Sequence, residues 1–193
     1  MLSPSTSRPR PLVFALALLA GAAHAQAPPG HATTSPIRPD QIPAVMGADD
    51  LGSASPSDAE RAVSETVQGD GVHVVHLWAP WCGNSTAGLE TGWYEVVEAH
   101  PDVSFTFVTV RNDGEDGAET LRQYGIPDTA TVLAHPGRFG EDTTFLGRPI
   151  TWTPATWVFN RGGRLAYAFN YGEVSADMLR TAIEHARAGW DHD

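Results

Sequence analysis

The stretch that most constrains the fold is "VHVVHLW", residues 72–78. It is short, β-branched and apolar, which is typical of a central strand covered on both faces. Directly after it, "APWCGNSTAGLETGWYEVVEAH" carries apolar residues at helical spacing: Leu89, Trp93, Val96 and Val97. We therefore expect a buried strand that turns at once into a helix beginning close to Cys82.

The other segments predict alternating helices and strands around this unit. Ser57 and Glu60 have the spacing of a capping box, so a helix is expected to begin there. Ser175 is expected to cap a last helix with an apolar face. The remaining predicted elements are a strand over 103–110, a helix over 117–125, and a pair of strands over 155–159 and 164–169.

Residues 127–149 are harder to interpret, and we treat them as a loop-rich insertion containing one short strand, "ATVLA". The order of elements gives an α/β protein, a mixed sheet flanked by helices. We divide the chain into a leader over 1–25, a Pro- and Ser-rich lead-in over 26–55 that we expect to be flexible, and a folded domain over 56–190.

The leader has the pattern of a cleavable secretory signal peptide. Arg8 and Arg10 precede 13 apolar residues, and "AHA" ends at Ala25 with small residues where a signal peptidase cuts. A membrane span needs about 20 apolar residues. We therefore expect export to the periplasm and no stable membrane anchor after cleavage.

The net charge limits the classes of partner. It is −11, and an acidic surface repels phosphate backbones. Nucleic-acid binding is therefore not expected.

The chain has a single cysteine, Cys82, so it cannot form an internal disulfide. A thiol at the first turn of a helix faces unpaired N–H groups, which favour the thiolate and lower the pKa from about 8.5. Ser85 follows one helical turn later and can donate its hydroxyl proton to the sulfur. The alternative is a buried, unreactive cysteine.

Two separated motifs resemble the thioredoxin-like superfamily. "LWAPWCGNS" is similar to its active-site segment, and "TWTPATWVFNRGGRLAYAFNYGEVSADMLRTAIEHA" to its cis-proline, strand, turn, strand and helix. The signal peptide and the insertion resemble the exported TlpA-like branch. This resemblance implies a three-layer α/β/α sandwich with a central mixed sheet and an insertion before the cis-proline strand.

The resemblance also implies which residues contact substrate. It makes Pro154 the cis-proline and Thr153 the residue whose backbone faces a bound peptide. Trp81, Gly83 and Asn84 would contribute to the same substrate-binding surface. The partners implied are client protein thiols or disulfides, and no cofactor is expected.

Ser85 departs from the family pattern, because it stands where thioredoxins carry the second cysteine of C-x-x-C. Cys82 alone can form a mixed disulfide, and another thiol, such as one on the client or glutathione, must resolve it. We therefore expect monothiol exchange, and the lone thiol also permits a Cys82-linked homodimer. The alternative is a redox-silent module that binds peptides or supports assembly without turnover.

His76 is the second departure, since thioredoxins carry a buried acid at this position. A histidine there can shuttle a proton, which makes it a catalytic candidate, or it can simply be hydrogen-bonded in the core. A metal site is not expected, because His73 and His76 are three apart on a strand and face opposite sides of the sheet.

Overall fold

The computed structural model describes residues 55–170 and 174–190. The predicted signal peptide and nearly all of the lead-in lie outside the described residues. Within the part of the chain that is described, no helix is long and apolar enough to cross a membrane.

A five-stranded mixed sheet forms the centre of the domain, in the order β3-β2-β1-β6-β7. Its strands are β1 (Val72–Trp78), β2 (Val103–Thr109), β3 (Thr131–Ala134), β6 (Ala155–Phe159) and β7 (Leu165–Asn170). The first three strands run parallel, and β6 and β7 continue the sheet antiparallel. Each parallel connection passes through a helix, as parallel pairing requires.

Helices cover both faces of this sheet. They are α1 (Asp58–Val67), α2 (Gly83–Gly88), α3 (Tyr94–Ala99), α4 (Ala118–Gln123) and α5 (Ala176–Arg187). One core contains residues of the α2–α3 segment, α4 and α5, and a second core on the other face contains residues of α1. The expected three-layer α/β/α arrangement around a mixed sheet is confirmed.

Strand β1 serves both cores, as its composition predicted. Val74 and Trp78 belong to one core, while Val75 and Leu77 belong to the other. All seven of its residues are buried between β2 and β6. The strand therefore holds the start of the following loop against a rigid, central element.

The prediction for residues 127–149 was wrong in one respect. The strand "ATVLA" is not part of the insertion, because Thr131–Ala134 pairs parallel with β2 in the central sheet. The insertion follows this strand and contains a small hairpin of β4 (Thr144–Phe145) and β5 (Arg148–Pro149). It packs into the second core through Phe145, which is fully buried.

The helix predicted after Cys82 is interrupted. A π-helical segment, Leu89–Trp93, separates α2 from α3, and Thr91 and Gly92 leave helical geometry within it. Gly92 has φ of 109°, and a Cβ there would lie 3.1 Å from the Cβ of Ala176 in α5. Glycine therefore permits both the kink and the close approach of α5.

The predicted capping box at the start of α1 is present. The Ser57 hydroxyl accepts from the Glu60 N–H, and one Glu60 carboxylate oxygen accepts from the Ser57 N–H at 2.8 Å. The other oxygen accepts from the N–H of Leu146 in the insertion, also at 2.8 Å. Glu60 thus joins the first helix to the hairpin.

Candidate active site

Cys82 lies at the end of a short loop that follows β1 and serves as the N-cap residue of α2. Its N–H donates to the carbonyl of Ala79 at 3.0 Å, and its own carbonyl accepts from Thr86 N–H at 3.1 Å. These bonds fix the backbone on both sides of the thiol. The cysteine is free and partly exposed, so reagents can approach its sulfur.

The insertion returns to the sheet directly against this thiol. The Cys82 S–H donates to the carbonyl of Thr153 at 3.4 Å. The Thr153–Pro154 peptide bond is cis, and both residues are buried at the start of β6. The structure therefore brings together the two motifs that the sequence placed 71 residues apart.

Several groups act on the protonation of the sulfur. Partial burial raises the pKa of the Cys82 thiol, but hydrogen bonding from the Thr153 side chain, from Ser85 and from the Asn84 N–H lowers it. The lowering contributions prevail, so the pKa lies below that of an ordinary thiol. Ser85 contributes through both its N–H and its hydroxyl. Charge on the sulfur is thus favoured by donors.

Ser85 is completely buried beneath the loop. Its hydroxyl oxygen accepts from the N–H of Ala79 at 3.3 Å, which holds the side chain in place. The hydroxyl also makes one of the hydrogen bonds that lower the pKa of Cys82. Ser85 is therefore a fixed donor, and it has no thiol with which to form a disulfide.

His76 lies inside the core below this loop. Its ring contacts Trp93, with centroids 4.3 Å apart, and Phe107, with centroids 5.6 Å apart. Nδ1 is 2.9 Å from the hydroxyl oxygen of Thr156, whereas Nε2 has no partner among the described residues. Burial lowers the pKa of His76 to about 3, so the imidazole is uncharged at neutral pH.

Three of the residues expected to contact substrate lie at the surface beside the thiol, whereas Thr153 and Pro154 are buried. Gly83 and Asn84 are exposed, and Trp81 is 46% exposed. The Trp81 ring packs edge-to-face against Phe139 of the insertion, with centroids 4.7 Å apart. Phe139 is itself 69% exposed, so the insertion supplies an exposed aromatic side chain beside Trp81, the residue before the cysteine.

Sequence reasoning missed Phe139 and Arg111. Arg111 follows β2, and its carbonyl accepts from the Trp81 indole N–H at 3.0 Å. Phe139 lies in the part of the chain with the weakest sequence pattern, and Arg111 resembles any surface arginine. Neither residue carries a local signal, because both reach the site only through long-range packing.

No group of three or more histidine, cysteine or acidic side chains that could hold a metal ion occurs in residues 55–170 and 174–190. His73 and His76 face opposite sides of the sheet, and His73 Nε2 instead lies 3.2 Å from the Gly69 carbonyl oxygen. Around Cys82, the described side chains form a thiol site with hydrogen-bond donors.

No protein-family model matches the chain, and no curated protein sequence matches it. Similar solved structures include a DsbF homologue from Corynebacterium diphtheriae, at 22% identity, 62% coverage of this chain, 74% of the other and a TM-score of 0.49. A secreted Mycobacterium tuberculosis disulfide oxidoreductase homologous to E. coli DsbE has 20% identity, coverages of 63% and 85%, and a TM-score of 0.45.

A secreted thiol-disulfide isomerase from Corynebacterium glutamicum is also similar, with 20% identity, coverages of 60% and 71%, and a TM-score of 0.44. Nothing about the chemistry of Cys82 follows from similarity at this level.

Proposed function

We propose that this protein is an exported, periplasmic monothiol protein that exchanges disulfides with client proteins or small thiols through Cys82. The observation that carries the proposal is the hydrogen bonding around the sulfur, which favours the thiolate of a partly exposed cysteine. The cis peptide bond before Pro154 and the exposed Trp81 provide the adjacent surface for a bound peptide.

The first step is attack of the Cys82 thiolate on one sulfur of a client disulfide. A bond forms between Cys82 and that sulfur, the client S–S bond breaks, and the second client sulfur leaves as a thiolate. Cys82 is oxidised to the mixed-disulfide state, and one client sulfur is reduced. Ser85 and Thr153 stabilise the attacking thiolate before this step.

The second step needs another thiol, because Ser85 cannot attack the mixed disulfide. A thiolate on the client or on a small molecule such as glutathione attacks the client sulfur of the mixed disulfide. A new disulfide forms, and the Cys82 thiolate is regenerated. The net result is rearrangement or transfer of a disulfide, which is isomerase-like chemistry.

The pH dependence of Cys82 alkylation by iodoacetamide tests this proposal. We expect a midpoint below about 8.5, the value of a free cysteine. In Ser85→Ala, which lacks the donor hydroxyl, the midpoint should move up. Thr86→Ser, a conservative change at a hydroxyl that bonds the Gly83 carbonyl, serves as the matched control. A wild-type midpoint at or above that of a free cysteine would defeat the proposal.

The exposed aromatic surface favours a second candidate, a redox-silent module that binds peptides. Trp81, Phe139 and Trp152 are all largely exposed, and large exposed apolar side chains commonly mark contact surfaces. Such a module requires no activation of the thiol. An unactivated Cys82, combined with binding of reduced peptides that survives Cys82→Ser, would support this candidate instead.

A further inference from the structure

Arg111 contacts both chain segments that form the thiol site. Its carbonyl accepts from the Trp81 indole at 3.0 Å. Its guanidinium donates to the carbonyls of Ile150 and Thr151, the latter at 3.3 Å, and its Nε–H points to the hydroxyl of Thr143 at 3.4 Å. One half-buried side chain thus bonds Thr143 of the insertion and the two residues that directly follow the insertion.

The two segments that Arg111 bonds carry the Cys82 sulfur and Thr153, whose backbone contacts that sulfur. Trp81 directly precedes Cys82 in the loop after β1. Thr151 lies two residues before Thr153, whose carbonyl oxygen is 3.4 Å from the Cys82 sulfur and whose side chain makes a hydrogen bond that lowers the pKa of the thiol. Movement of either segment by a fraction of an ångström changes this contact, because hydrogen bonds weaken steeply with distance and angle.

The backbone conformation of Arg111 directs its carbonyl group and its side chain toward different segments. Strand β2 ends at Thr109, and Val110 N–H still donates to the carbonyl of Trp78 at 2.9 Å. Arg111 then adopts φ of 57°, in the left-handed region. The chain leaves the sheet at this residue, beside the end of β1. Its carbonyl and its side chain can therefore engage different segments.

Arginine is chemically suited to this task. Its planar guanidinium presents several N–H donors in a fixed fork, so it can bind two successive carbonyls together. A lysine ammonium carries the same charge but is a single point on a flexible stem. Comparing the two side chains therefore separates the geometry of the fork from its charge.

We propose that Arg111 is a positioning residue for the thiol, holding the Trp81–Cys82 loop and the Thr151–Thr153 segment at the spacing that favours the Cys82 thiolate. The inference rests on the proposed function, since it concerns the same sulfur. Arg111 acts through the two segments and does not touch the reacting atoms.

The test measures alkylation of Cys82 against pH in the full chain for wild type, Arg111→Met and Arg111→Lys. Both variants should raise the midpoint and slow alkylation at pH 7 by about two- to tenfold, the worth of one hydrogen bond. Arg138→Met is the matched control, since Arg138 is an exposed arginine of the same insertion. Its midpoint should equal that of wild type.

The outcomes separate this inference from the proposed function. A wild-type midpoint at or above that of a free cysteine defeats the proposed function itself. A low wild-type midpoint that is unchanged in Arg111→Met overturns only the positioning role. A wild-type midpoint in Arg111→Lys also overturns it, because charge would then suffice. Circular dichroism checks that each variant folds. If Arg111→Met does not fold, the comparison of Arg111→Lys with wild type is the test.

Discussion

The two polar sites of the β1–loop–α2 segment are built in opposite ways. The sulfur of Cys82 is partly exposed and is surrounded by donors that lower its pKa. His76 is completely buried, has one nitrogen without a partner among the described residues, and has a pKa lowered to about 3 by burial. The surroundings of Cys82 stabilise the charged thiolate, whereas the burial of His76 excludes the charged imidazolium.

Under the proposed monothiol exchange, this difference gives the two departures from the thioredoxin pattern one explanation. In the resembled family, a buried acid moves protons at the second cysteine. Ser85 has no proton that must leave during exchange, so a titrating group below it has no task. A neutral histidine that packs against Trp93 meets the remaining structural need. On this proposal, the chain favours formation of a thiolate without providing for internal release.

The largest effect should come from restoring the second thiol with Ser85→Cys. A mixed disulfide between Cys82 and a fluorescent peptide should be stable in the wild type without added thiol. In the variant, the new thiolate attacks Cys82, an internal disulfide forms, and the peptide leaves as a thiol. The released peptide thiol is removed at each time point, and the loss of fluorescence from the protein measures the release.

Combining Ser85→Cys with His76→Asp sharpens the comparison between the two sites. If the buried acid matters only when a second cysteine must lose its proton, the double variant should release the peptide faster than Ser85→Cys alone. His76→Asp alone should give no release. Equal release rates in Ser85→Cys and in Ser85→Cys combined with His76→Asp would contradict this explanation, because the two departures would then be unrelated.

His76 should also make folding stability depend on pH. Its pKa is about 3 in the folded chain against 6.5 when unfolded, so the unfolded chain binds the proton first as pH falls. The contribution of His76 is complete above pH 6.5 and is lost toward pH 3, by about 1.4 kcal/mol per pH unit. Urea unfolding across this range should show a shallower decline for His76→Gln. Parallel curves would refute it.

The smallest effect is expected at the exposed edge of the thiol site. Phe139→Ala removes the edge-to-face partner of Trp81, and such pairs contribute about 0.5–1.5 kcal/mol. Because Phe139 is exposed, the free energy of unfolding should fall by the lower part of that range. Trp81 should become more exposed, with red-shifted fluorescence relative to Phe139→Leu. An unchanged spectrum would mean that the pair is not maintained in solution.

Local patterns predicted the central elements well. The strand over 72–78, the Ser57 cap and the Ser175 cap depend on residues close together in sequence, and all three are confirmed. The interruption at Gly92 was not predicted, because the apolar spacing continues across it. The glycine is required by contact with α5, which lies more than 80 residues away in the sequence and has no local signal.

The thiol site likewise contains some residues that local patterns predicted and others that they did not. Cys82 and Pro154 stand in recognisable motifs, whereas the contacts of Phe139 and Arg111 arise from an insertion without a regular pattern. The sheet membership of Thr131–Ala134 was missed because a short apolar run does not specify its pairing partner. Spacing predicts that an element forms; which distant surface it meets depends on packing.

The position of Glu60 has a consequence for the stability of this domain. Its carboxylate is divided between the Ser57 end of α1 and the Leu146 N–H, so the insertion is tied into the first helix far from its own ends. A Glu60→Ala change would therefore leave both the Ser57 N–H and the Leu146 N–H without this acceptor, and an unpaired buried donor is costly. A single carboxylate thus links the start of the first helix to a hairpin some 86 residues further along the chain.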